Sequence, residues 1–199
     1  TVSVAPDANP FGVQAADFDG DGFPDLAALA ASETGYRIVI LRNDQLGGFE
    51  TAETITPPGS AFVASDLDGD RDVDLATMAL DLASAHVFLN RGDGTFAAPA
   101  AYSVGHPGGW DAVIATMDFD VDGDLDLVVG TADERPDPRL AILVNDGNGA
   151  FPVAQPIASA DGWQAEELLA ADLDGNGLPD IVIMERDCAA TIRNMGDGS

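Results

Sequence analysis

The polarity pattern of this chain recurs along its length. An alternating run such as "FGVQAADF" or "DAVIATMDF" leads into a dense Asp and Gly segment. An apolar run leaves that segment ("DLAALAA", "DLATMAL", "DLVVGTA", "DIVIMER"), and a third run ends in Asn ("RIVILRN", "AHVFLN", "LAILVN", "ATIRN"). A Gly-rich turn and an aromatic follow in "DQLGGF", "RGDGTF" and "DGNGAF", then a variable stretch with Pro. Runs this short, bounded by Gly, Asp and Asn, predict strands joined by tight turns, and none is long enough for a regular helix.

The leading Asp residues stand at 17, 66, 118 and 172, so the spacings are 49, 52 and 54. A period of this size signals a solenoid, propeller or array, and four strands per unit is the anatomy of a propeller blade. The expected fold is all-β: one β-propeller domain over 1–199, built of four-stranded antiparallel blades, four in this chain. Their expected limits are about 11–57, 58–104, 105–159 and 160–199, the last completed by strand 1–6. In three units an aromatic follows the recurring Asn by six positions: Phe49, Phe96 and Phe151. The fourth unit has Asn194 and stops at Ser199, so Thr1 takes the aromatic slot if the ends are joined. The amino-terminal strand then supplies the missing outer strand of the last blade, within the chain or in a neighbouring one.

Candidate chemistry lies in the Asp segments. Counted from the first Asp, carboxylates occupy positions 1, 3, 5 and 9 as Asp17, Asp19, Asp21, Asp25; Asp66, Asp68, Asp70, Asp74; and Asp118, Asp120, Asp122, Asp126. The fourth loop has Asp172, Asp174, Asn176 and Asp180. Carboxylates ~4 to 5 Å apart repel by about 1 kcal/mol per pair even in water, and a bound cation turns that repulsion into attraction. Alternate residues of a coiled loop can point at one centre and supply the six to eight oxygens that Ca²⁺ takes. A backbone carbonyl serves at position 7, whose side chain is free to vary through Phe23, Asp72, Asp124 and Leu178. About four Ca²⁺, one per blade, are expected.

Other metals fit less well. Mg²⁺ keeps several waters and strict octahedral geometry, and zinc wants His or Cys, whereas His86 and His106 lie outside all four loops. An EF-hand needs Glu at position 12 between two helices; here that position holds Ala28, Thr77, Val129 and Ile183. Glycine stands at position 6 as Gly22, Gly123 and Gly177, but loop 2 has Arg71 there and loop 3 has Val121 at position 4. Loop 1 is therefore expected to be the cleanest site and loop 4, with neutral Asn176, among the weaker.

Composition adds limits. Thirty-five Asp and Glu stand against eight Arg and no Lys, a formal charge of -27 that repels nucleic acid and anionic membranes. No apolar run approaches the length of a membrane span. The single cysteine, Cys188, excludes an intrachain disulfide and reads as a small apolar side chain at the start of a strand, an intermolecular bridge or reactive thiol being the alternatives.

The D-x-D-x-D-x-x-x-D loop, the Asp-Leu or Asp-Ile strand after it and the hairpin "NRGDGTF" at Asn90 together resemble the FG-GAP/VCBS repeat family, across essentially the whole chain. The resemblance implies a calcium-stabilised β-propeller, usually extracellular, secreted or on a cell surface, and often bacterial. Such modules serve in adhesion, in ligand binding or beside a catalytic domain, and the resemblance names no ligand.

Remaining features are weighed against that frame. Arg91-Gly92-Asp93 spells an adhesion tripeptide but sits where the family hairpin places Gly-Asp-Gly anyway. Trp110 and Trp163, just before the first strands of blades 3 and 4, read as packing between blades, with sugar stacking as the alternative. His86 and His106 have no evident nucleophile to serve as catalytic bases. The expected function is a non-enzymatic binding, adhesion or assembly scaffold with a carbohydrate or protein ligand. Alternatives are a homo-oligomeric ring or filament joined by edge-strand exchange, and an accessory domain of a polysaccharide-active enzyme.

Overall fold

The computed structural model describes residues 8–33, 35–56, 59–79, 83–105, 111–132, 140–157, 166–184 and 188–196. Strand 1–6, His106, Trp110 and Trp163 lie outside the described residues. Among the described residues, fifteen strands form four antiparallel sheets and there is no helix. Sheet 1 comprises β1 (Asn9–Ala16), β2 (Asp25–Ser32), β3 (Gly35–Asn43) and β4 (Phe49–Ile55). Sheet 2 is β5 (Ala61–Ser65), β6 (Asp74–Met78), β7 (Ser84–Phe88) and β8 (Ala100–Ser103). Sheet 3 is β9 (Asp111–Met117), β10 (Asp126–Ala132), β11 (Leu140–Val144) and β12 (Val153–Ile157). Sheet 4 has β13 (Glu167–Ala171), β14 (Asp180–Met184) and β15 (Ala189–Ile192).

Within each sheet the strands pair in chain order, each with the next. The Asp loops join first strand to second, and the register closes at the loop itself: Ala16 pairs with Asp25, Ser65 with Asp74, Met117 with Asp126 and Ala171 with Asp180. First strands of successive sheets pack side by side, β1 on β5, β5 on β9 and β9 on β13, and together line a cavity of about 570 Å³. The arrangement is propeller-like.

The second strands read as unbroken apolar runs because both their faces are covered. In β6, Leu75 packs towards sheet 1 while Ala76 and Met78 pack towards sheet 3. Three shared cores result. Phe18, Leu29, Ile40, Phe62 and Phe88 join sheets 1 and 2; Leu67, Met78, Leu127, Leu143 and Phe151 join 2 and 3; Met117, Val128, Ile142, Leu168 and Ile183 join 3 and 4. The recurring aromatics close these junctions edge-on, Phe96 against Phe18 at 6.2 Å and Phe151 against Tyr102 at 5.4 Å between centroids.

The recurring Asn at the end of each third strand ties sheet to sheet. Asn90 Nδ2 donates to the Phe18 carbonyl of sheet 1 at 2.8 Å, and Asn145 to the Leu67 carbonyl of sheet 2 at 2.7 Å. Asn194 reaches the Phe119 carbonyl of sheet 3 at 2.7 Å. Asn90 and Asn145 also donate to the carbonyl that ends their own Asp loop, Val73 at 3.0 Å and Leu125 at 2.9 Å. All three Asn residues are buried, and their amides satisfy carbonyls at the joints between sheets. Asn145→Ala leaves the Leu67 and Leu125 carbonyls without that donor and is expected to lower stability by about 2 to 3 kcal/mol, measured as a shift of the urea midpoint at unchanged slope.

Candidate metal centre

Each Asp loop is coiled by its own side chains. The first Asp accepts the N–H of position 6: Asp17 from Gly22 at 2.8 Å, Asp66 from Arg71 at 3.0 Å, Asp118 from Gly123 at 3.1 Å and Asp172 from Gly177 at 3.0 Å. Position 5 accepts the N–H of position 7, from Phe23, Asp72, Asp124 and Leu178, at 2.7 to 2.9 Å. Both turns demand left-handed backbone at positions 4 and 6. Glycine supplies it except at Arg71 (φ 79°) and Val121 (φ 62°).

The Asp at position 9 does a different job from the rest. One oxygen of Asp25, Asp74, Asp126 and Asp180 accepts the N–H of loop position 2, at 2.8 to 3.1 Å. The other accepts the N–H of the third-strand Asn, at 2.7 to 2.8 Å. All four side chains are buried. Burial pushes the Asp74 and Asp126 carboxyls up to about 6, against the pull of their two amide bonds, and the neighbouring loop carboxylates add to the rise. Asp25 is raised for the same reasons. Asp68 and Asp120 are also raised, first by burial and then by adjacent Asp residues.

Each loop gathers three carboxylates, with one oxygen from each lying within 4.8 Å of the others. Ligands ~2.3 to 2.6 Å from a hard cation stand up to about 4.6 to 5.2 Å apart, so one ion reaches all three. In loops 2 and 3 the trio is Asp66, Asp68, Asp70 and Asp118, Asp120, Asp122. In loops 1 and 4 it is Asp17, Asp19, Asp25 and Asp172, Asp174, Asp180. Asp17 Oδ1 is buried without a hydrogen-bond partner, a cost that a cation removes.

The position 5 side chains of loops 1 and 4 are engaged by their own chain. Gln45 Nε2 donates to Asp21 at 2.9 Å, and Asn176 turns its amide to the Asn194 carbonyl at 3.1 Å. An Arg before the third-strand Asn adds positive charge at the same two loops: Arg42 pairs with Asp19, and Arg193 with Asp174 at 3.6 Å. Loop 1, expected from its glycines to be the cleanest site, is thus the one most engaged by its own chain. Loops 2 and 3 have Leu89 and Val144 in place of the Arg.

At position 7, Asp72 and Asp124 lie over the hairpins of their own sheets, where a Cβ on Gly92 or Gly147 would stand 2.5 Å from the carboxylate. Arg91 turns back to the Phe96 carbonyl at 2.6 Å, and the Asp93 carboxylate takes the Thr95 N–H and hydroxyl at 3.0 and 2.7 Å. The Arg-Gly-Asp segment is thereby bound into its own hairpin. His86 is partly buried in β7 with Ser84 Oγ 3.2 Å from its Nε2. Cys188 is exposed just before β15, not packed as its small apolar side chain suggested, because the strand begins only at Ala189. Gln45, Arg42 and Arg193 carry no sequence motif; their place in the site appears only once the third strand folds back beside the loop.

The strained positions are directly testable. Val121→Gly and Arg71→Gly are each expected to raise stability by about 1 kcal/mol by relieving left-handed backbone, whereas Gly123→Ala lowers it; thermal or urea unfolding reads both.

A profile of the FG-GAP-like repeat matches residues 17–77, 66–129 and 118–183, each match running from one Asp loop through the next. No curated protein matches the sequence. Among solved structures, a lectin of Agrocybe aegerita, described for specific recognition of non-reducing terminal N-acetylglucosamine, aligns over 92% of this chain and 48% of its own at 21% identity, with a TM-score of 0.61. This chain thus spans about half the length of that one. The Tc holotoxin pore of Photorhabdus luminescens aligns over 96% of this chain and 12% of its own at 16% identity, with a TM-score of 0.39 too low to bear on the fold. With three overlapping matches from the first Asp loop to the last, set on the strand–loop–strand geometry described above, the chain belongs to the FG-GAP-like repeat family.

Proposed function

We propose that this protein is a non-enzymatic, extracellular binding scaffold whose sheets are pinned by calcium. The observation that carries the reading is the fourfold convergence of three carboxylate oxygens within 4.8 Å, in loops whose shape is set by backbone amides. Calcium suits an all-oxygen cage of carboxylates and carbonyls better than magnesium or zinc does. Asp66, Asp68, Asp70 and Asp118, Asp120, Asp122 would hold it in loops 2 and 3, and Asp17, Asp19, Asp25 and Asp172, Asp174, Asp180 in loops 1 and 4. When bound, the ion supplies positive charge and nothing else. The chain's own residues do the rest: the ninth Asp fixes the loop to the third strand, and the Asn beside it fixes one sheet to the one before.

Family repeats of this kind and the lectin-like fold fit a binding role. No helix among the described residues is long and apolar enough to cross a membrane. The mouth formed by the four first strands offers a concave, largely apolar surface with Thr116, Glu166 and Glu167 among its polar residues. Carbohydrate is the first class to test. On a glycan array, binding to a defined sugar that disappears with free competitor is expected; an array with no specific binder, beside a protein ligand recovered from the same assay format, shifts the reading to a protein ligand.

Metal and pH arms test the calcium itself. Excess EDTA is expected to lower the melting temperature by ten degrees or more, on the order of several kcal/mol of linked binding energy, and calcium restores it. Native mass spectrometry should show up to four ions. An unchanged melting curve in EDTA overturns the proposal. In the metal-free fold, Asp74 and Asp126 hold their protons up to about 6 against an ordinary 3.8. The folded state then binds more protons between those values, so metal-free stability falls as pH rises through that window. With calcium present the ion stabilises the ionised carboxylates, and the slope flattens or inverts.

A further inference from the structure

The residue before the third-strand Asn stands between its own Asp loop and the hairpin of the next sheet. In sheet 1 it is Arg42: an added Cβ on Gly94, in the sheet 2 hairpin, would lie 3.5 Å from Asp19 Cβ and 3.6 Å from Arg42 Nη2. In sheet 2 it is Leu89: an added Cβ on Gly149, in the sheet 3 hairpin, would lie 2.9 Å from Leu89 Cδ2 and 3.2 Å from Asp68 Cβ. The place is the same and the chemistry is opposite. Arg42 Nε pairs with Asp19 Oδ2, and its Nη2 donates to the Asp93 carbonyl of the sheet 2 hairpin at 3.2 Å. Leu89 offers Asp68 a methyl group and no charge.

Oxygen occupancy differs in the same sense. In loop 1, Asp19 Oδ1 accepts the Asp21 N–H at 3.2 Å while Oδ2 meets Arg42. Asp21 Oδ1 accepts the Phe23 N–H and Oδ2 the Gln45 amide, both at 2.9 Å, so all four oxygens are engaged. In loop 2, Asp68 Oδ1 accepts the Asp70 N–H at 3.3 Å and Asp70 Oδ1 the Asp72 N–H at 2.8 Å. Among the described residues no N–H is directed at Oδ2 of either. Charge follows the same division: loops 2 and 3 hold five Asp each, loop 1 holds four, and loop 4 holds three with Arg193 3.6 Å from Asp174. Arg71 of loop 2 is exposed, and loop 3 contains no Arg. Ligand charge tunes the calcium affinity of oxygen cages over several decades.

We propose that the four loops are two classes of calcium site, and that Arg42 is a built-in cation which calcium must displace from Asp19 to enter loop 1. The proposal rests on the calcium reading above. Loops 2 and 3 fill first, at low free calcium; loops 1 and 4 fill only at higher levels. Calcium and the Arg42 guanidinium exclude each other on Asp19, because two cations so close repel and one carboxylate cannot serve both. Arg42 also holds the Asp93 carbonyl, so filling loop 1 releases a tie between sheets 1 and 2. Loops 2 and 3 are thereby structural sites, and loop 1 is a sensor whose filling reaches the 90–96 hairpin.

Site-resolved NMR of the whole chain tests this, with free calcium set by chelator buffers in ~0.15 M salt. The backbone N–H at position 6 of each loop donates to the first Asp, so Gly22, Arg71, Gly123 and Gly177 report loops 1 to 4. Arg71 and Gly123 are expected to shift first, and Gly22 at about tenfold higher calcium or more. The Arg42 Nε–H and the Gly94 amide should move together with Gly22. Arg42→Met keeps the stem of a side chain that is 47% exposed and is expected to lower the Gly22 midpoint about tenfold while leaving that of Gly123 in place. Arg42→Lys, which keeps the charge, is expected to restore a high midpoint. Four amides that titrate together, an Arg42 Nε–H that stays put while Gly22 moves, or an Arg42→Met midpoint equal to the wild type each overturn this proposal and leave the calcium reading standing. Amides that do not respond to calcium at all overturn both.

Discussion

A buried carboxylate accepting two backbone amides, repeated four times, is the contact on which the rest of this molecule depends. The ninth Asp of each loop holds the start of the loop with one oxygen and the end of the third strand with the other. Removing it would leave two backbone amides without their acceptor, costly where they are buried, as at Asp74. Its burial is expensive for a charged group, which is why Asp74 and Asp126 sit well above the ordinary carboxylate range. The cost is tolerated because one side chain determines the geometry of three chain segments at once.

That geometry has two outputs. Inwards, it curls the loop so that carboxylates that would otherwise repel and splay converge within the reach of a single ion. Outwards, it positions the neighbouring Asn, whose amide crosses to the loop of the preceding sheet. The frame of the Asp loop and the joint between sheets therefore share a residue pair, Asp74 with Asn90 or Asp126 with Asn145. The shape of the loop and the firmness of the joint are coupled through those shared bonds. The coupling extends one repeat at a time, as in other arrays stabilised by nearest neighbours.

The four loops are nevertheless unequal, and the inequality follows the place of each sheet in the arc. Loops 1 and 4 carry an Arg against the third-position Asp; among the described residues loops 2 and 3, with sheets packed on both sides, show no such pair. Loops 2 and 3 instead hold Arg71 and Val121 in left-handed backbone, where glycine would be easier. Their frames are over-determined by bonds on either side, which is the usual condition for such residues to persist.

The repeat, its short strands and the Asp loops in which carboxylates converge were legible in the sequence, because a period near fifty residues and a period of two within strands are both one-dimensional signals. So was the recurrence of Asn43, Asn90, Asn145 and Asn194, though not its purpose. What only the tertiary structure decided is which partners lie across a junction. The Asn90 amide meets a carbonyl 72 residues away, Arg42 comes beside Asp19 only when β3 pairs with β2, and Gln45 reaches Asp21 through a hairpin fold. Those contacts depend on how one twisted sheet stacks on the next, a rotation that no linear spacing encodes, and they separate loops that look nearly identical when written as letters.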